Sequence, residues 1–172
     1  MSERSQSFNQ IIASFNGMKL VKRVAEGGIV SCGGVDMAGW AHLGATLGVQ
    51  NRRPVILITG KLKQQETLQQ DLETWLRLLK SDTEARFYPD WEVLPHEGKL
   101  PHADVISERL ETLLALRAEH PPVITATVAS LMQCTLSPQE IFHRTRTLKL
   151  GERLDPLDFI EWLEEQLSLI HI

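Results

Sequence analysis

Apolar and polar positions alternate with several different periods along the chain. Residues 8–15 (FNQIIASF) and 17–26 (GMKLVKRVAE) carry apolar side chains near helical spacing, and Gly27-Gly28 stops the second stretch. IVSC at 29–32 is short and apolar, which predicts a buried strand. Residues 35–48 read as a helix weakened by its glycines and ending at Gly48. RRPVILITG (52–60) gives the clearest strand, and its unbroken β-branched run predicts burial on both faces, as in a parallel sheet. Residues 63–80 form a long amphipathic pattern with Leu68, Leu72, Trp75, Leu76 and Leu79 on one stripe. ARFY (85–88) is a third strand, and 89–102 a loop braced by Pro89, Pro95 and Pro101. Residues 103–118 predict a helix with Val105, Ile106, Leu110, Leu113 and Leu114 inward. PVITAT (122–127) is a fourth strand and 128–135 a short helix.

Strands alternating with helices predict an α/β fold: a parallel sheet with helices on both faces and right-handed crossovers. Ligands in such sheets sit at the carboxyl ends of the strands. The 33–44 turn, the 89–102 loop and the end of 122–127 are expected there. The pattern changes after residue 136. Ser137-Pro138 opens a short helix to about His143, and RTRTLKL (144–150) alternates like a half-exposed strand. Asp155 then caps a helix from Pro156, with Leu157, Ile160, Leu163 and Leu167 inward. The predicted division is therefore an α/β domain over 1–136 and a partial α+β module over 137–172. One strand and one helix cannot bury a core of their own, so the module is expected to lean on the first domain or on another chain.

Composition narrows the function classes. Hydrophobic residues make up 42% of the chain, enough for a core, and the formal net charge of −4 provides no global basic field for nucleic acid. The concentrated basic positions are Arg144, Arg146, Lys149 and Arg153, which suit an acidic protein surface or phosphates. They suit equally a solvated strand face that its charges protect from edge pairing. Two cysteines, Cys32 and Cys134, cannot frame a disulfide scaffold; they read as core thiols in a reduced, cytoplasmic setting. No apolar run reaches the ~18 residues of a membrane span, and the polar N-terminus does not resemble a signal peptide.

One stretch raises a specific chemistry. In GGVDMAGWAHLG (33–44), Gly34 and Gly39 have the spacing that begins a phosphate-binding loop, G-x-x-x-x-G-K-[ST]. Trp40 stands where the lysine that reaches the phosphates belongs, and Ala41 where the magnesium-binding hydroxyl belongs. The turn therefore reads as a degenerate phosphate loop, with Trp40 packed into the former nucleotide space. Lys61 follows a glycine too, but with Leu62 at the hydroxyl position it reads as an exposed lysine at a helix start. Asp90, Glu92, His96, Glu97, His102 and Asp104 are concentrated in one loop without metal-ligand spacing, and Asp104 suits a helix cap. Neither cysteine has an obvious histidine and acid beside it. No catalytic residue, metal or cofactor is expected.

FYPDWEVLPHE, ISERLETLLAL, VITATVASLMQ and LKLGERLDPLDFIEWLEEQ, in that order, resemble the N-terminal region of bacterial transcription-repair coupling factors, a region itself similar to the excision-repair protein UvrB. The resemblance covers roughly residues 10–167. It rests most on Asp90-Trp91-Glu92 with Leu94-Pro95, on Ile106 with Arg109-Leu110, and on Leu150-Gly151-Glu152. It implies a P-loop NTPase-like module whose loop has decayed, with the family's ATP-driven motor elsewhere. It implies UvrA as a partner through an inserted domain that begins near residue 137, and RNA polymerase and DNA as partners of other domains. The family pattern continues past residue 167 and its main UvrA contacts lie beyond it, whereas this chain ends in SLIHI, as a piece of a longer protein would. Two alternatives stand beside this reading: a residual ATP-binding domain of a helicase-like ATPase, and a scaffold that forms homo-oligomers through its incomplete C-terminal module.

Overall fold

Within residues 20–91, 93 and 101–167, which the computed structural model describes, the chain forms ten elements. They are α1 (Leu20–Glu26), α2 (Met37–Asn51), β1 (Val55–Thr59), α3 (Leu62–Leu78), β2 (Ala85–Tyr88), α4 (Ala103–Ala115), β3 (Val123–Thr127), α5 (Val128–Met132), α6 (Pro138–His143) and α7 (Pro156–Leu167). The chain divides into two compact units, Met1–Cys134 and Thr135–Ile172.

The first unit is α/β. Its strands are parallel in the order β1-β3-β2, so the chain passes from β1 to the far edge and returns to the centre. One sheet face presents Val55, Leu57, Val123 and Ala85 to Ala41 and Ala45 of α2 and to Leu68, Leu72 and Leu76 of α3. The other presents Tyr88, Ile124 and Ala126 to Leu113 of α4 and to Leu116. The leucine stripe predicted on 63–80 is the one that packs, because helical spacing puts those positions on one face. Trp75 and Leu79 lie at its margin.

The glycines of α2 serve the sheet rather than weaken the helix. A Cβ at Gly44 would lie 2.7 Å from Leu57 Cδ1, and one at Gly48 would lie 2.4 Å from Val123 Cγ2. Only a bare Cα lets the helix approach this closely. The two contacts also give the direction. Gly48 meets the first residue of β3 and Gly44 the middle of β1, so α2 runs against the strands and its first turn lies toward their carboxyl ends.

Five sequence expectations fail. IVSC does not form a strand, and Ile29 is 98% exposed; the described sheet has three strands, none of which pairs with 29–32. β1 is buried on one face only, with Ile56 48% and Ile58 58% exposed. α4 packs over β2 and β3, one strand away, so among the described residues no helix covers this face of β1. Residues 144–150 form no strand either; they turn locally, with Glu152 N–H donating to the Lys149 carbonyl and Lys149 N–H to the Glu152 carboxylate. In α7, Leu157, Ile160 and Leu163 point to solvent at 71%, 50% and 40% exposure. Among its described residues the second unit buries none. The thiols depart from expectation as well: Cys32 is half-buried and Cys134 exposed. The predicted helix at 8–15 lies outside the described residues.

Candidate functional site

α2 begins inside the degenerate loop motif, so that Gly39, Trp40 and Ala41 lie in its first turns and Gly34 precedes it. Asp36 is its N-cap, extended in backbone, and its Oδ1 accepts the Gly39 N–H at 2.7 Å. This amide is one of the orphan donors that a phosphate loop would offer to an anion. Here the chain's own carboxylate takes it. The glycine has a local reason to be there: a Cβ on residue 39 would come within 2.8 Å of Val35 Cγ1 and 3.0 Å of the capping oxygen. Gly34 adopts φ +74°, which suits a glycine turn. Trp40 is 37% exposed, so it is not packed into a vacated nucleotide space as expected. It follows the cap on the outer side of the first turn. Ala41 is fully buried in the α2–α3 core, a methyl group where a metal-binding hydroxyl would stand. The strand expected before the loop is missing, so the strand–turn–helix setting of a phosphate loop is incomplete.

The described ends of β1 and β3 are tied up in the same way. Thr127 and Ser130 form a capping box at the start of α5: Ser130 N–H donates to Thr127 Oγ1 at 2.9 Å, and Thr127 N–H to Ser130 Oγ at 3.1 Å. The Thr127 hydroxyl in turn donates to Asp90 Oδ1. Thr59, at the end of β1, donates toward the Ala126 and Lys61 carbonyls. Lys61 is exposed at the N-cap of α3, as its sequence context predicts.

Arg109 anchors the segment after β2. It is 1% exposed, and its guanidinium lies between the rings of Tyr88 and Trp91, 4.2 Å from each centroid. Its Nη1 donates to the Pro89 carbonyl at 2.7 Å and toward Gln133 Oε1 at 3.3 Å. Gln133 Oε1 also accepts Trp91 N–H at 2.8 Å. Burial pulls the Arg109 pKa below its usual value, opposed by Tyr88 and Asp90. Asp90 and Trp91 are two residues on which the family resemblance rests, and Arg109 is a third.

No family model matches the chain. Its sequence is 30% identical over 118 residues, 68% of its length, to the transcription-repair-coupling factor of Escherichia coli strain K12. It is 34% identical over 74 residues, 43% of its length, to that of Haemophilus influenzae. The chain is similar to transcription-repair-coupling factors. It matches only 10% and 6% of those proteins' own lengths.

In this coupling-factor-like chain the other predicted residues do not converge. His102 Nδ1 and Asp104 Oδ2 are 3.3 Å apart at the start of α4, where His102, not Asp104, is the N-cap and neither side chain caps the helix. Glu92, His96 and Glu97 lie outside the described residues. No group of three or more potential metal ligands occurs among the described residues, and no described helix is long and apolar enough to cross a membrane. Arg146, Lys149 and Arg153 are exposed and Arg144 half-buried. Arg146 sits over the Phe159 ring at 5.7 Å.

Two residues of the rim were not singled out from the sequence as functional. Gln65 is fully buried on α3, and its Nε2 donates to the Tyr88 and Thr125 carbonyls at 3.0 and 2.9 Å, joining β2 to β3. Arg109 was noted only for its resemblance. The signal for both was available: each lies on its helix's apolar stripe, Gln65 with Leu68 and Leu72, Arg109 with Val105 and Leu113. A polar residue on a buried stripe is there to be hydrogen-bonded.

Proposed function

We propose that the chain is a non-catalytic, UvrB-like α/β module of a cytoplasmic transcription-repair-coupling protein, and that it supports UvrA recruitment in transcription-coupled nucleotide excision repair. RNA polymerase and DNA then belong to other parts of the longer protein. The relatives it matches are named for coupling transcription to repair, which supports the pathway. The observation that carries the non-catalytic part is the Asp36 carboxylate on the Gly39 amide. A γ-phosphate approaching this turn would meet a fixed negative charge instead of a lysine. Charge-assisted hydrogen bonds of the missing kind are worth about 1.5–3 kcal/mol each. Without a hydroxyl at Ala41, the turn also lacks the metal-centred stabilisation on which phosphoryl transfer depends.

The rival reading, a residual ATP-binding domain, draws on one favourable feature: α2 does bring its first turn to the carboxyl rim. Calorimetry with ATP, with and without magnesium, separates the two. The expected result is no magnesium-dependent heat; micromolar, magnesium-dependent affinity would establish the rival. For the partner, pull-downs compare the 172-residue chain with one extended through the complete inserted domain. The short chain is expected to capture little UvrA and the extended one more. Equal capture would move the contact onto residues present here.

A further inference from the structure

Two hollows of the first unit flank the start of β2, one on each face of the sheet. On the α3 side, a volume of about 490 Å³ lies among Glu73, Leu76, Arg77, Ser81 and Thr83. On the α4 side, one of about 500 Å³ lies among Asp82, Glu111, Leu114, Ala118 and Glu119. Glu84 and Arg86 border both. Ala85 packs toward the leucines of α3, and Arg86, the next residue, reaches Glu111 of α4 on the other face. Both hollows are at the amino end of the sheet. The connections that lead into α2 and out of β3 are at the opposite, carboxyl end, so neither hollow lies beside the point where the chain passes into Thr135–Ile172.

Between the hollows runs a strand edge. In the described sheet β2 pairs with β3 alone. Val123 N–H donates to the Glu84 carbonyl at 2.9 Å, so by alternation Ala85 and Phe87 turn their backbone groups away from β3. The Phe87 carbonyl accepts the Thr112 hydroxyl at 3.3 Å, which leaves the Ala85 carbonyl and the Phe87 N–H for another strand. The two faces differ in charge. The α3-side hollow is balanced, Glu73 and Glu84 against Arg77 and Arg86. The α4-side hollow sets Asp82, Glu84, Glu111 and Glu119 against Arg86. Arg86 already shows how a guanidinium sits there, with Nη2 2.6 Å from Glu84 and Nη1 3.1 Å from Glu111. Among the described residues Asp82 and Glu119 form no ion pair.

We propose that the edge of β2 is a docking site for an extended segment of a partner protein that carries lysine or arginine at every second position. The segment adds to β2 as a further strand, bonding the Ala85 carbonyl and the Phe87 N–H. Alternate side chains then fall on opposite faces. The basic ones lay their stems on Leu114 and Ala118 and bring their charged ends to Asp82 and Glu119. The side chains between them, short and polar, enter the hollow of Ser81 and Thr83. The acids exclude a nucleic acid from this edge, because they repel phosphates. Few backbone bonds and exposed ion pairs make the docking weak and sensitive to salt.

Fluorescence anisotropy of a labelled peptide that alternates lysine and threonine, titrated with the whole 172-residue chain, tests this. A dissociation constant of the order of 10–500 µM is expected at low salt, weakened about tenfold in ~0.5 M salt. A peptide that alternates lysine and proline has the same charge but lacks every second N–H, and is expected not to bind. The double variant Asp82→Lys with Glu119→Lys is expected to lose the lysine–threonine peptide and to gain one that alternates glutamate and threonine. That gain excludes misfolding as the cause of the loss. No binding of the lysine–threonine peptide, equal binding of the proline peptide, or affinity unchanged by the double variant would overturn the proposal. So would a double variant that binds neither peptide, or sedimentation showing that a second copy of the chain occupies the edge and shuts the peptide out.

Discussion

α3 and α7 are written in nearly the same pattern and have opposite fates. Each is an amphipathic helix with apolar residues at three- and four-residue spacing, although in α7 Glu164 falls on the stripe, four residues after Ile160. In α3, Leu68, Leu72 and Leu76 are buried against Ala41, Ala45 and Val123. In α7, Leu157, Ile160 and Leu163 stand in solvent. Periodicity identifies which face is apolar; it does not supply the surface that covers it. α3 has a sheet beneath it because β1, β2 and β3 pair along their lengths, whereas no described strand lies in the unit that contains α7.

The sharpest way to break the comparison is to delete equivalent side chains. Leu72→Ala removes a fully buried side chain and is expected to cost about 2–5 kcal/mol. Ile160→Ala, at a side chain 50% exposed, is expected to stay within ~0.5 kcal/mol. Urea unfolding followed by the change in midpoint measures both. A large loss at Ile160 would mean that α7 packs on something within the chain.

What was legible in the sequence follows the same division. The helices α2, α3 and α4 and all three strands of the sheet were readable, because alternation of apolar runs with helical stripes leaves few arrangements for a parallel sheet. The failures share a cause. IVSC, the outer face of β1 and RTRTLKL each have strand-like sequence, but a strand is made by its neighbours, and the sequence of one segment does not say whether neighbours exist. The candidate site was legible as a deficiency, Trp40 and Ala41 in place of lysine and hydroxyl. That Asp36 fills the remaining amide was not, since the spacing of Asp36 and Gly39 does not say which of the first helical amides the carboxylate takes.

Arg109 gives the next largest effect. Its guanidinium serves as a flat plate between two rings, with Nη1 alone donating, to the Pro89 carbonyl and toward Gln133. Arg109→Lys keeps the charge but loses the plate that stacks between the rings, and is expected to cost about 1.5–3 kcal/mol. Arg109→Met, which removes the charge altogether, is expected to be no worse, because a compact buried ammonium between two rings is harder to satisfy than a thioether. Rescue of wild-type stability by lysine alone would show that only the charge matters. Arg146→Met, on the solvent side of Phe159, is the matching change in the second unit and is expected to leave the unfolding of the first unit unchanged.

The caps provide a smaller contrast. Asp36→Ala removes the acceptor of the Gly39 amide at the start of a helix that packs on the sheet, and is expected to lower the stability of the first unit by about 0.5–2 kcal/mol. Ser137→Ala disrupts a complete capping box, with Glu140 on the Ser137 amide at 2.7 Å, yet α6 buries no residue. Its loss is expected to appear as reduced helical signal, without a shift in the main unfolding midpoint. Equal midpoint shifts from the two caps would show that the units unfold together.

The smallest effect separates the units by pH. His42 is 1% exposed on α2, with its ring 4.2 Å from that of Trp75 and tilted by 48°. Burial lowers its pKa below the ordinary 6.5, so between the lowered value and 6.5 the unfolded chain holds more protons than the folded one. Stability from this residue is then fully present above pH 6.5, declines as the pH falls through that window, and levels off below the folded value. In α6 the shift belongs to an acid: hydrogen bonds from Ser137 hold Glu140 below its ordinary 4.5. The contribution of Glu140 is present above pH 4.5 and lost only as the pH falls through its lowered value. The first unit should therefore lose stability as the pH falls below 6.5, before the helical signal of α6 responds, and His42→Phe should flatten that first decline. A decline that persists unchanged in His42→Phe would assign it to another group and remove burial of this imidazole as its cause.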